Sequence, residues 1–139
     1  MKVNKSISKG FSLVEMLVVI AIIGVIAAIA VPQISDFTGA AKDSKDKRNA
    51  QNLSSVCSAA QAAGLDFVAL GGGDLKNTML AIVAGSTVTD GAFLGEFFGV
   101  PNMSDRDMTE CAPYLSIDST QTTLQYSATA TTGSSPTFP

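Results

Sequence analysis

Residues 11–31 read FSLVEMLVVIAIIGVIAAIAV, an apolar run with one charge, Glu15. Coiled as a helix it spans about 31 Å at ~1.5 Å per residue, close to the roughly 30 Å hydrocarbon core of a bilayer. Before it stands MKVNKSISKG, which carries Lys2, Lys5 and Lys9 and no acid; Pro32 marks its far end. The whole chain has 139 residues, 46% hydrophobic and 15% charged. That balance places the apolar content in one segment attached to a single small domain. Histidine is absent. Catalytic triads built on histidine, imidazole metal sites and imidazole proton shuttles are therefore excluded. The formal net charge is −3 and the pI about 4.7, which argues against a broad basic face for nucleic acid. Cys57 and Cys111 stand too far apart in sequence for a CxxC redox motif or a zinc knuckle.

The residues alone leave three readings of the N-terminus. One is a secretory signal peptide with Ala28-Ile29-Ala30 as an A-x-A cleavage site. Another is an uncleaved membrane anchor on a protein that never polymerises. The third is a leader cut ahead of the apolar run, so that the helix stays on the mature protein. Glu15 favours the third. A carboxylate within a spanning helix costs about 2.5–3.5 kcal/mol at the bilayer centre, less near the edge. A disposable signal or a plain anchor has no use for that charge, whereas a retained helix can pair it.

Lys9-Gly10-Phe11-Ser12-Leu13-Val14-Glu15, followed by the apolar run, resembles the processing site of type IV prepilins and type II secretion pseudopilins. The resemblance covers roughly residues 1–40. It implies cleavage between Gly10 and Phe11 by a prepilin peptidase, N-methylation of Phe11, and Glu15 as an assembly residue. It implies residues 1–10 as leader, residues 11–31 as transmembrane and filament-core helix, and residues 32–139 as helix continuation and extracytoplasmic head. The implied partners are identical or related pilin subunits, the peptidase, an assembly ATPase, an inner-membrane platform protein and membrane lipid. The implied place is the bacterial inner membrane, single-pass, and then a pilus or pseudopilus.

Beyond Pro32 the chain stays helix-compatible, so the proline is expected to kink the helix without ending it. Leu53, Val56, Cys57 and Ala60 give an apolar face, with Gly64 in the same spacing. The intervening KDSKDKR sets Asp43 and Lys47 at i, i+4; it reads as a solvated face or as a contact with neighbouring subunits. Gly71-Gly72-Gly73 lacks the GxxxxGK[ST] pattern of a phosphate cradle, and Asp74 opposes an anion there. A linker with Asp74 capping the next helix is the expectation. Leu75, Met79, Ile82 and Val83 form that helix's apolar face, closed by Gly85.

Asp90-Gly91 signals a turn. Phe93, Leu94, Phe97 and Phe98 are expected in the head core, with a surface contact patch as the alternative. Leu115 and Ile117, then Leu124, Tyr126 and Ala128, alternate with polar residues and predict an antiparallel pair joined around residues 118–121. The tail from Thr129 is rich in Thr, Ser, Gly and Pro and is expected to be loosely ordered. The fold class is α+β: a long N-terminal helix, a short helix and a small antiparallel sheet.

If the head is extracytoplasmic, as the resemblance implies, a Cys57–Cys111 bond would staple the sheet to the helix, at about 4 kcal/mol by chain entropy. The alternative is two small buried thiols. Many pilins place a disulfide nearer the C-terminus, so this spacing departs from the family. Asp105, Asp107 and Glu110 are the weak calcium candidates, since some pseudopilins bind calcium in C-terminal loops; SDRDMTE misses the EF-hand spacing, and turn or cap acids are the favoured reading. No nucleophile stands with a base, so no enzyme and no cofactor are expected.

Overall fold

The computed structural model describes residues 10–118, 120, 122–131 and 136–138. The chain divides into two compact units, Met1–Ala41 and Lys42–Pro139. Helix α1, Leu13–Ala62, begins in the first and ends in the second. It runs on through Pro32, which therefore does not end it. The first unit's described part is residues 10–12 and the first portion of this helix. Its apolar stretch Leu13–Val31 has mean hydropathy 2.9 and buries nothing against the protein.

The second unit is the head. There α1 stops by a glycine mechanism that the sequence reading assigned differently. Gly64 sits at φ 94°. Leu65 N donates to Ala60 O at 2.8 Å, and Gly64 N donates to Gln61 O at 3.0 Å. These are the two closing bonds of a Schellman motif. Gly64 thus terminates the helix and does not extend its apolar face. Leu53, Cys57 and Ala60 are buried as expected, and Val56 packs against the core.

Two short helices follow. Helix α2, Phe67–Leu70, is capped by the Asp66 carboxylate, which accepts from Ala69 N, and it buries Phe67 and Val68. Helix α3, Leu75–Ala84, is capped as expected by Asp74, which accepts from Asn77 N at 3.1 Å. One of the glycines between them, Gly71, has a packing reason. A Cβ on Gly71 would lie 2.5 Å from Thr78 N and 2.7 Å from Thr78 Cα, so only glycine lets the chain pass this close to α3. Met79 and Ile82 are fully buried; Leu75 and Val83 pack beside them.

Strands β1, Ser86–Thr87, and β2, Phe97–Phe98, form an antiparallel hairpin. Helix α4, Asp105–Cys111, is capped by Ser104 and leads through a 3₁₀ turn, Ala112–Tyr114, into β3, Leu115–Ile117. That strand pairs antiparallel with β4, Leu124–Tyr126, in the register Leu115↔Tyr126 and Ile117↔Leu124. The α+β class stands. Two separate two-stranded ribbons replace the one small sheet expected, and Ala128 lies beyond β4. Ser54 Oγ donates to Leu124 O at 2.7 Å and ties β4 to α1.

Two expectations are corrected here. Phe93, Leu94 and Phe97 are 50%, 68% and 55% exposed, so the core reading of that cluster fails; only Phe98 packs against the core. They sit on a hairpin whose two-residue strands are too short to fold a loop inward. The described tail residues are also not loose. Thr131 donates to Pro113 O through both N and Oγ1, and Phe138 is a buried member of the core, with Lys76 Nζ 5.7 Å from its ring centroid.

Candidate functional site

Gly10, Phe11 and Ser12 precede the first turn of α1 in non-helical conformation, all exposed. The Gly10–Phe11 bond is therefore exposed, ahead of the helix. A Cβ on Gly10 would touch nothing. The glycine therefore answers no steric demand of this chain, and any requirement for it comes from what acts on the bond. The leader lysines Lys2, Lys5 and Lys9 lie outside the described residues.

Glu15 has a local role that the sequence reading missed. Its Oε2 accepts from Ser12 N at 2.8 Å, and Met16 N donates to Ser12 O at 3.3 Å. Ser12-Leu13-Val14-Glu15 has the S-x-x-E spacing of a capping box, in which the acid reaches back to an orphan N–H at the helix start. The spacing alone signals the cap. From that turn to Val31, α1 is exposed apolar surface: Leu13 is 80% exposed, Ile20 68% and Val25 64%. The arrangement is an exposed non-helical segment, a carboxylate held at the first helical turn, and then a bilayer-length apolar helix that no described residue covers.

The other candidates lie in the head. The i, i+4 pair Lys47–Asp43 forms at 2.8 Å, and Tyr114 Oη donates to Asp43. The Lys47 hydrogen bond, followed by that of Tyr114, holds Asp43 below the usual carboxylate range. Lys45 pairs with Asp107 and lowers it, with Ser104 helping. Part of the KDSKDKR segment therefore faces its own head, neither freely solvated nor free for a neighbour. Asp46 has a buried Oδ1 without a hydrogen-bond partner; desolvation first, then Glu110, raises its pKa.

The acids Asp105, Asp107 and Glu110 all fall on α4. Asp107 binds Lys45 and Ser104, and Glu110 binds Arg106 at 2.9 Å. Among the described residues no group of three His, Cys, Asp or Glu side chains is arranged to hold a metal. Cys57 and Cys111 belong to the same core cluster and are free, buried thiols. Burial pushes the Cys111 thiol up to about 12 and raises Cys57 as well.

Comparison with curated proteins and with solved structures finds no match. One family model matches, the prokaryotic N-terminal methylation motif, over residues 5–31. The match spans Gly10, Phe11 and Ser12, the Glu15 turn and the uncovered apolar helix. The chain therefore carries the prepilin-type motif of the type IV pilin and pseudopilin family.

Proposed function

We propose that this chain is a structural subunit of a type IV pilus or of a type II secretion pseudopilus. It is made as a precursor, cut between Gly10 and Phe11, and methylated on the Phe11 amine. It waits in the inner membrane on residues 11–31 with the head outside. It is then drawn into a filament by an assembly ATPase and its platform protein. The observation that carries the reading is the uncovered helix Leu13–Val31 bearing a carboxylate at its first turn, within the matched motif. A lone apolar helix in lipid gains little from leaving it unless close packing and a paired charge await it. Neighbouring subunits supply both: apolar helix surface, and a cationic N-terminus for Glu15.

Ala28, Ile29 and Ala30 lie within the uninterrupted α1, which disfavours cleavage there. Mass spectrometry of the mature N-terminus decides. N-methylated Phe11 supports the proposal; Val31 means a secreted protein, and Met1 an uncleaved anchor. Shear-released fibres in electron micrographs, or a secretion defect on deletion, then assign pilus or pseudopilus.

A further inference from the structure

The head exposes an apolar projection. In the hairpin, Val88 N donates to Glu96 O at 3.0 Å and Gly95 N to Val88 O at 2.9 Å, which fixes the loop. Phe93, Leu94 and Phe97 stand out from it. Phe97 is held in that pose by bare backbone. A Cβ on Gly85 would lie 2.1 Å from its Cζ, and one on Gly99 3.0 Å from it, so the ring rests on a floor that only glycines leave open. The projection is preformed, and association would not have to order it. Asp90 and Glu96 flank it, both exposed.

The cations show what it fits. Lys45, Lys47 and Arg106 are engaged with acids, and Lys76 lies over Phe138. Among the described residues, Lys42 and Arg48 enter no such pair. Both are exposed, and with Lys45 they form an i, i+3, i+6 stripe on α1. One molecule thus carries an apolar knob flanked by two acids and, elsewhere, a stripe whose two end cations, Lys42 and Arg48, are not spent on an acid, while its middle one, Lys45, is held by Asp107. Acids beside the knob also disfavour an anionic lipid surface.

We propose that the Phe93–Leu94–Phe97 projection, with Asp90 and Glu96, docks on the Lys42–Arg48 stripe of a second copy of this chain. This rests on the filament reading above and names the head contact that goes with it. The apolar side chains supply burial, and the charges set register and exclude wrong partners.

The test uses full-length chain in assembling cells. Leu94 is replaced by the photo-crosslinker benzoylphenylalanine, and sheared filaments are irradiated. Adducts mapped by peptide mass spectrometry to residues 42–48 of another copy support the inference. Adducts to lipid or to a different protein, or none in intact filaments, overturn it. A charge exchange gives a second readout: Glu96→Lys and Arg48→Glu each lower filament yield several-fold, and the double variant recovers most of it. Absence of recovery overturns the pairing. Wild-type cells that make no filaments at all would refute the filament reading itself, a result distinct from filaments that form without this cross-link.

Discussion

Glu15 has one observed role and one proposed role, and they separate by substitution. In the single chain it accepts from Ser12 N; in the filament it is proposed to pair with the Phe11 amine of a neighbour. Losing the capping bond alone costs about 0.5–2 kcal/mol of helix start. Leaving a buried ammonium without its partner costs several kcal/mol. Glu15→Ala should therefore insert normally and be cut after Gly10, while filament yield falls sharply. Glu15→Gln keeps an acceptor without the charge and should be intermediate. The measurement is sheared-filament yield against membrane-pool level, and a normal yield from Glu15→Ala at equal pool would end the charge-pairing mechanism. A second residue-scale contrast lies in the glycine triplet. Gly71→Ala forces a methyl onto the α3 backbone and should destabilise the head by about 1–3 kcal/mol. Gly72→Ala meets open space, and its φ of 67° limits the loss to about 1–2 kcal/mol of left-handed strain. Thermal melts should rank Gly71→Ala the lower of the two.

At the scale of elements, the connection between β3 and β4 hangs on one acid. Asp118 Oδ1 accepts from Thr122 N at 2.8 Å and Thr123 N at 3.1 Å, and the Thr120 hydroxyl donates to its other oxygen. These bonds, the Thr120 one largest, hold its pKa down to about 2. A carboxylate depressed on folding stabilises the native state above its unfolded value near ~3.9, and that stability is lost as pH falls toward the folded value. The β3–β4 ribbon should therefore be unchanged from neutrality to about pH 5 and loosen between roughly pH 4 and 2. Amide exchange at Leu124–Tyr126 reads this, and Asp118→Asn should abolish the step. A ribbon whose exchange changes between pH 7 and 5 would assign control to another group. The elements also show what a sequence discloses. Asp74 and Gly85 bracketed α3, and alternation located β3 and β4, because caps and period are local chemistry. The exposure of Phe93, Leu94 and Phe97 is not legible in the sequence, because clustering says nothing about which way a hairpin faces. Phe138 was hidden in a polar tail, where one aromatic residue makes no pattern. Glu15's cap was legible as S-x-x-E; the Lys45–Asp107 pair joins positions too distant in sequence for any local rule.

For the whole molecule, the division into two units carries the last prediction. Everything in the core cluster comes from Ala50 onward, whereas the stretch that needs a bilayer or neighbouring helices ends at Val31. Deleting residues 1–34 should therefore give a soluble, folded head. The cut removes three lysines and one glutamate from a chain already at −3, so the product is more acidic and better protected from self-association. The exposed knob does not alter this expectation. Three apolar side chains are far short of the roughly 800 Å² per partner of a stable interface. The proposed knob-and-stripe contact becomes effective only where packed α1 helices hold copies side by side and raise their effective concentration. The isolated head should thus run as a monomer in light scattering at micromolar concentration. Phe93→Ser with Leu94→Ser should leave its melting temperature nearly unchanged, since both residues are already exposed, yet should lower filament yield in the full chain. A head that aggregates under mild conditions, or that stays with membranes after losing residues 1–34, would show that the second unit does not fold by itself. A stable head dimer dissolved by those two serines would instead move the strength of assembly from the apolar helix to the knob.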